Sequence, residues 1–201
     1  DPIFLNKITN RKIWCAASTH STEEFFCAKT HLNLKQNFKN ILTIIIPRHI
    51  HRINTIDREL SGLNLKVVFY SNLNQMSSDT DILLVDTYGE TSKFFNISKS
   101  VFLGGSLIKH GGQNPIEPSR LSSKIFHGTH VDNFSEIYEY LKSLGISQQV
   151  DTSDKLTKAL TEEFISNKPI SGQVAKKIDD YGFEILNKVI KEIKIYINTW
   201  R

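Results

Sequence analysis

Six short apolar runs punctuate the chain, at residues 13–17, 41–46, 65–70, 82–85, 101–103 and 124–126. They are continuous rather than alternating, the pattern of strands covered on both faces in a parallel sheet. Polar segments of helical length separate them. In the segment 21–37, Ser21 is followed three residues on by Glu24, the capping-box signature of a helix start. Ile53, Ile56, Leu60 and Leu63 share one helical face, with an end near Gly62. From Phe134 to Gly145, Ile137, Tyr138, Leu141 and Leu144 recur at helical spacing, and Leu156, Leu160 and Phe164 place another helix from Ser153. Residues 171–196 read as a long helix kinked near Gly182. Strand–helix alternation without a repeat or a Pro/Gly linker predicts α/β: a single Rossmann-like domain with a parallel sheet and right-handed crossovers.

Composition narrows the class. The 201 residues are 39% hydrophobic and 23% charged, which excludes collagen-like and wholly disordered chains. A chain of this length buries about 70% of its unfolded surface without staples. Two cysteines, Cys15 and Cys27, exclude a disulfide scaffold and a four-cysteine zinc site. No apolar run reaches the length of a membrane span and no signal-peptide pattern opens the sequence, so a soluble domain from a reducing compartment is expected. The net charge of +4 comes from an excess of Lys and Arg in the first third, scattered rather than gathered into a stripe with aromatics. No nucleic-acid partner is expected.

In sheets of this class ligands sit beyond the carboxyl ends of the strands, and the unusual residues fall there. After the first run come Ser18, Thr19 and His20, whose side chains could meet a ligand; no G-x-G-x-x-G is present, which argues against a nicotinamide or flavin cofactor. After the second come Pro47, Arg48 and, one turn on, Arg52. Arginine offers phosphate a planar, permanently charged donor fork, the reading preferred for Arg48 over a solvated turn with a surface ion pair, while the two readings balance at Arg52. His49 and His51, and likewise His127 and His130, lack a nearby cysteine or carboxylate, so no metal is expected. After the fourth run, Asp86-Thr87-Tyr88-Gly89-Glu90 offers an acid, an aromatic and a glycine; Asp86 also suits a simple helix cap. The densest signal is Gly104-Gly105-Ser106 followed by Gly111-Gly112-Gln113-Asn114-Pro115-Ile116-Glu117-Pro118. Four glycines in so short a loop would let main-chain N–H groups face an anion. Asn114, Pro115 and Glu117 also fit the cap, first position and third position of a helix.

Taken together, Ala17-Ser18-Thr19-His20 with Glu23-Glu24, Ile46-Pro47-Arg48-His49 with Arg52, Asp86 to Glu90, and Phe102 to Pro118 closely resemble the 3-deoxy-D-manno-octulosonic acid (Kdo) transferases. The resemblance spans about residues 8–190 and covers the carboxyl-terminal half of that family. It implies one Rossmann-like half of a GT-B glycosyltransferase that transfers Kdo from CMP-Kdo to a lipid A precursor, with inversion, in lipopolysaccharide synthesis. By the same resemblance Pro47 and Arg48 contact CMP, Tyr88, Gly89 and Glu90 line the nucleotide pocket, and Asn114, Pro115, Ile116 and Glu117 bind cytidine and ribose. Ser18, Thr19, His20, Arg52, Gly104, Gly105, Ser106, Gly111 and Gly112 support the donor site. Gln113 and Thr91 depart from the family pattern, where histidine and an apolar residue are usual.

The resemblance further implies that residues 1–10 are a linker remnant, 11–170 the donor-nucleotide domain, and 171–201 a helix packing towards an amino-terminal domain. That other domain would carry the acceptor site, the general base and the membrane anchor, at the cytoplasmic face of the bacterial inner membrane. No catalytic residue and no cofactor is then expected in this chain, and alone it would be inactive. Two other readings remain: a GT-B domain using a UDP-sugar, and a non-catalytic nucleotide-binding or interaction module. Lys188, Lys191 and Lys194 beside Ile190, Ile193, Ile195 and Ile197 would also suit an anionic membrane surface.

Overall fold

All seven residues of Ile41–Pro47 are buried, as a strand flanked on both sides and covered on both faces must be. In the computed structural model, which describes residues 2–121, 123–166 and 172–199, this segment lies near the middle of a seven-stranded sheet. The elements in chain order are α1 (Pro2–Ile8), β1 (Lys12–Thr19), α2 (Glu23–Asn37), β2 (Ile41–Pro47), α3 (Ile53–Ser61), β3 (Val67–Phe69), β4 (Ile82–Leu84) and α4 (Thr91–Ile97). There follow β5 (Ser100–Leu103), α5 (Ile116–Arg120), β6 (Lys124–His127), α6 (Ser135–Ser143), β7 (Ser147–Gln149), α7 (Ser153–Ser166) and α8 (Gly172–Thr199). Every strand pair is parallel and the order is β3-β4-β2-β1-β5-β6-β7. The predicted parallel α/β domain is what forms.

Across the sheet, the strands from β3 to β6 divide their apolar side chains between two cores. In β1, Cys15 and Ala17 face a layer with Phe4, Ile8, Phe94, Phe95, Tyr138, Leu141 and Ile178, while Trp14 and Ala16 face Cys27, Leu34, Ile56, Leu60, Leu156 and Leu160. Helices on both faces therefore bury both sides of the sheet. Residues 2–8, read from sequence as linker, form α1, and its Phe4 and Ile8 belong to the first core. The edge strands β3 and β7 have three residues each.

One helical expectation changes. The Ser21–Glu24 capping box does not form: the residue before α2 is Thr22, at φ 79°, and it makes no side-chain cap. Both glutamates at the helix start turn inward instead, as described below. Gly182 does not interrupt the predicted long helix: α8 runs continuously from Gly172 to Thr199. Its predicted start, Ser171, and the 170/171 boundary lie outside the described residues. Ile178 is buried, Arg120 pairs with Asp179 at 2.9 Å and Tyr140 stacks on Tyr181 at 4.1 Å between centroids. Beyond Gly182 the apolar residues Phe183, Leu186, Ile193 and Ile197 are exposed.

Candidate functional site

The chain leaves β1 on one side towards β2 and β4, and crosses back to lay β5 on its other side. That reversal opens a crevice at the carboxyl ends of β1 and β5. The loops after β1, β2, β4 and β5 carry the candidate residues to this edge of the sheet.

The loop after β1 is fixed by Glu23, whose carboxylate is fully buried. It accepts main-chain N–H groups from His20 (2.9 Å), Gly105 (2.7 Å), Ser106 (3.1 Å) and Leu107 (3.0 Å). The glycine-rich loop does offer its N–H groups to an anion, and that anion is the protein's own. This corrects the expectation that the N–H groups of Gly105 and Ser106 face a phosphate. Gly104 is equally committed: a Cβ there would fall 2.4 Å from Ser18 O and 2.8 Å from Glu23 Oε2, so only glycine lets the two loops touch. Ser106 is buried and bolts in the next loop, accepting the Gly128 N–H at 2.8 Å on Oγ and the His130 N–H at 2.8 Å on its carbonyl. Gly111 and Gly112 pack against Asn133 and Val131.

Glu24 is buried beside Glu23 and meets Arg52 in a two-pronged pair at 2.9 and 3.2 Å, while Thr19 donates its hydroxyl at 3.1 Å. Burial pushes the Glu24 carboxyl up, and the Arg52 and Thr19 hydrogen bonds pull against it. Arg52 and Thr19, both read as donor-site support, are thus spoken for by Glu24. Sequence reasoning assigned little to either glutamate because two acids at a helix start have an ordinary local explanation.

Arg48 differs. Its main-chain N–H donates to Thr19 O at 2.9 Å, which ties the loop after β2 to the end of β1. Its side chain is exposed and, among the described residues, has neither a hydrogen bond nor an ion pair. Pro47 ends β2 opposite Thr19. Ser18 stands in the left-handed region at φ 56° and turns the chain into the crevice. His20 is almost wholly buried, packed against the rings of His49 and His110.

On the far side of the crevice, Tyr88 is 76% exposed and Gly89 stands at φ 80° in open space. Glu90 pairs with Lys93. Asp86 accepts the Ser71 N–H at 2.9 Å, so it ties down the turn after β3 rather than capping a helix. Asn114 Oδ1 accepts the Ile116 N–H at 3.0 Å and starts α5 as its sequence suggested. Glu117 is exposed and receives a hydrogen bond from the Ser92 hydroxyl. Asn114, Ile116 and Glu117 line one cavity of about 640 Å³ with Ser92, Asn96, Arg120 and Asp179. Tyr138, read from sequence only as a helix-face position, holds the approach to Asn114 by donating its hydroxyl to Gln113 O at 2.9 Å. Among the described residues, no group of three or more His, Cys, Asp or Glu is placed to hold a metal. Nor is any helix long and apolar enough to cross a membrane.

No family model matches the chain. A 3-deoxy-D-manno-octulosonic acid transferase of Haemophilus influenzae is 33% identical over 178 residues, 88% of this chain and 40% of that protein. A bifunctional glycosyltransferase/methyltransferase of Fusobacterium nucleatum is 30% identical over 198 residues, 98% of this chain and 30% of that protein. The chain thus spans less than half the length of these curated relatives. Among solved structures, the C-terminal CMP-Kdo binding domain of WaaA from Acinetobacter baumannii superposes with a TM-score of 0.73 at 22% identity, covering 89% of this chain and 97% of that one. At that identity the likeness speaks to the fold: this chain has the architecture of that domain. Over most of its length, this chain is similar in sequence to 3-deoxy-D-manno-octulosonic acid transferases.

Proposed function

We propose that this chain is the donor-binding half of an inverting GT-B glycosyltransferase, that its donor is CMP-Kdo, and that the sugar goes to a lipid A precursor. The observation that carries the reading is Arg48, an uncommitted guanidinium at the carboxyl end of a central strand. Its neighbour Arg52 is consumed by Glu24. A charge-assisted hydrogen bond from such a group to phosphate is worth about 1.5–3 kcal/mol. The similarity to Kdo transferases supports the choice of donor.

In this reading Arg48 receives the phosphate of CMP, with Pro47 beside it. Tyr88, Gly89 and Glu90 wall the nucleotide, and Asn114 to Glu117 meet cytidine and ribose from the start of α5. As the bond to the sugar breaks, negative charge grows on the departing phosphate, and a fixed arginine stabilises it without reorganising. The general base that deprotonates the acceptor hydroxyl, the acceptor site and the anchoring to the inner membrane's cytoplasmic face would belong to another part of the transferase. No metal is needed for the role given to Arg48.

Isothermal titration with CMP, with UMP and NAD as controls, tests this. CMP-selective binding that Arg48→Ala weakens at least tenfold, about 1.4 kcal/mol, is the expected result. Equal binding of UMP would overturn the choice of donor, and no nucleotide binding at all would overturn the donor-site reading.

A further inference from the structure

We infer that His20, His49 and His110, gathered from the loops after β1, β2 and β5, form a subsite for the carboxylate of the donor's sugar acid. The inference rests on the donor reading above. It adds a residue set for a second anionic group that the phosphate contact at Arg48 leaves unrecognised.

The ring centroids of His20 and His110 lie 4.4 Å apart, and those of His20 and His49 lie 5.6 Å apart at an edge-on 87°. His51 extends the group, 5.5 Å from His49. Only 8% of His20 is exposed, and its Nε2 is buried with no hydrogen-bond partner. A buried polar atom without a partner requires an explanation, and an absent ligand oxygen supplies one. Two further imidazoles packed against His20, one of them next in sequence to an unpaired arginine, make a poor structural core and a good receptor for negative charge.

The groups facing His20 are His110, His49 and Arg48 from the neighbouring loops and Glu23 from its own. Glu23 is the one acid among them, and its carboxylate is already taken by four N–H groups. Burial first, then the cationic neighbours, holds His20 below the usual imidazole range. An anion placed among these rings acts in the opposite direction, so its binding draws in a proton.

The geometry of the donor fits. In a 2-ulosonic acid the carboxylate and the phosphate ester sit on the same carbon, so their receptors must be neighbours. Arg48 and His49 are consecutive residues. Among the other cations nearby, Arg52 is committed to Glu24, Lys93 to Glu90 and Arg120 to Asp179, while Lys109, beside His110, is exposed.

The test titrates CMP-Kdo, CMP and free Kdo into the wild type, His20→Gln and His110→Gln by calorimetry, in buffers of different ionisation enthalpy, after a melt shows that each variant folds. CMP-Kdo should bind the wild type about tenfold tighter at pH 6 than at pH 8, with net proton uptake. In His110→Gln that pH dependence should disappear and CMP-Kdo should bind about tenfold weaker, while CMP changes less than twofold. Equal losses for CMP and CMP-Kdo would assign the cluster to phosphate and overturn the inference, as would unchanged CMP-Kdo binding. If CMP fails to bind the wild type, the donor reading fails by itself. The imidazole NMR signals of His20 and His110 under free Kdo then decide: movement keeps the carboxylate subsite and silence removes it.

Discussion

Glu23 Oε2 lies 2.7 Å from the main-chain nitrogen of Gly105, a residue 82 positions further along the chain. This contact and those from the Ser106 and Leu107 N–H groups seal the loop after β1 to the loop after β5, the two loops that flank the crevice. Leaving several buried N–H groups unpaired costs about 1–3 kcal/mol each. Glu23→Ala should therefore lower stability by about 3 kcal/mol or more. Glu23→Gln, whose amide turns donors towards donors, should lose nearly as much. Urea denaturation measures both, and a loss below about 0.5 kcal/mol, the scale of an ordinary surface substitution, would remove Glu23 from this role.

The Arg52–Glu24 pair predicts an asymmetry. Arg52→Met leaves a buried carboxylate unpaired and should cost about 3–5 kcal/mol at neutral pH. Arg52→Met combined with Glu24→Leu should regain much of that. Burial already raises the Glu24 pKa, so the folded state binds the proton more readily than the unfolded one. The deficit of Arg52→Met should then shrink as the pH falls towards that raised value. A deficit that grows in acid contradicts this account.

At the opposite end of the sheet, buried His31 hydrogen bonds Thr43 Oγ1 at 2.8 Å and Asp81 Oδ1 at 3.2 Å, and Lys35 reaches the same carboxylate oxygen as the ring. Burial lowers the His31 pKa, and burial likewise lowers those of His20 and His127. Such groups hold a proton less readily in the fold than after unfolding, so stability should fall as the pH drops through the unfolded imidazole value of about 6.5. Asp81 is held well below the usual carboxylate range by His31, Lys35 and the Lys66 N–H, against its own burial. It should add a second loss below about pH 4. Urea midpoints should decline from pH 7.5 to 5, and His31→Gln should flatten part of that decline.

Two glycines separate crowding from backbone strain. Gly104→Ala drives a Cβ into Ser18 O, Thr19 Cα and Glu23 Oε2 at 2.4, 2.7 and 2.8 Å, and should cost about 2 kcal/mol or more. Gly89→Ala meets open space but holds φ at 80°, and should cost about 1–2 kcal/mol. Thermal melts of the two variants rank them, and Gly89→Ala as the more damaging would reverse the argument.

Much of this architecture is legible in the sequence because the buried strands are unbroken apolar runs. The exception is instructive: Ser147-Gln148-Gln149 forms β7 through pairing with β6 alone, with no hydrophobic signal. The glycine density of residues 104–112 is equally plain, yet its purpose is not, because the anion it serves is a side chain 82 residues earlier. Ser21 and Glu24 match a local cap, but Glu24 gains more from Arg52, which only the folded chain brings near. Asn114 shows the opposite case, since its bond to the Ile116 N–H is local and the sequence suffices. Arg48 and Arg52 look alike in sequence; only the position of Glu24 tells the engaged one from the free one.

Both margins of the sheet are short. β3 and β7 each present three residues, and β7 carries exposed Gln148 and Gln149. A margin of three residues gives another chain little unpaired backbone to dock against. The isoleucine- and leucine-rich strands β2 and β4 thus stay in the interior, while growth at the edges is limited by length at apolar β3 and by length and polarity at β7.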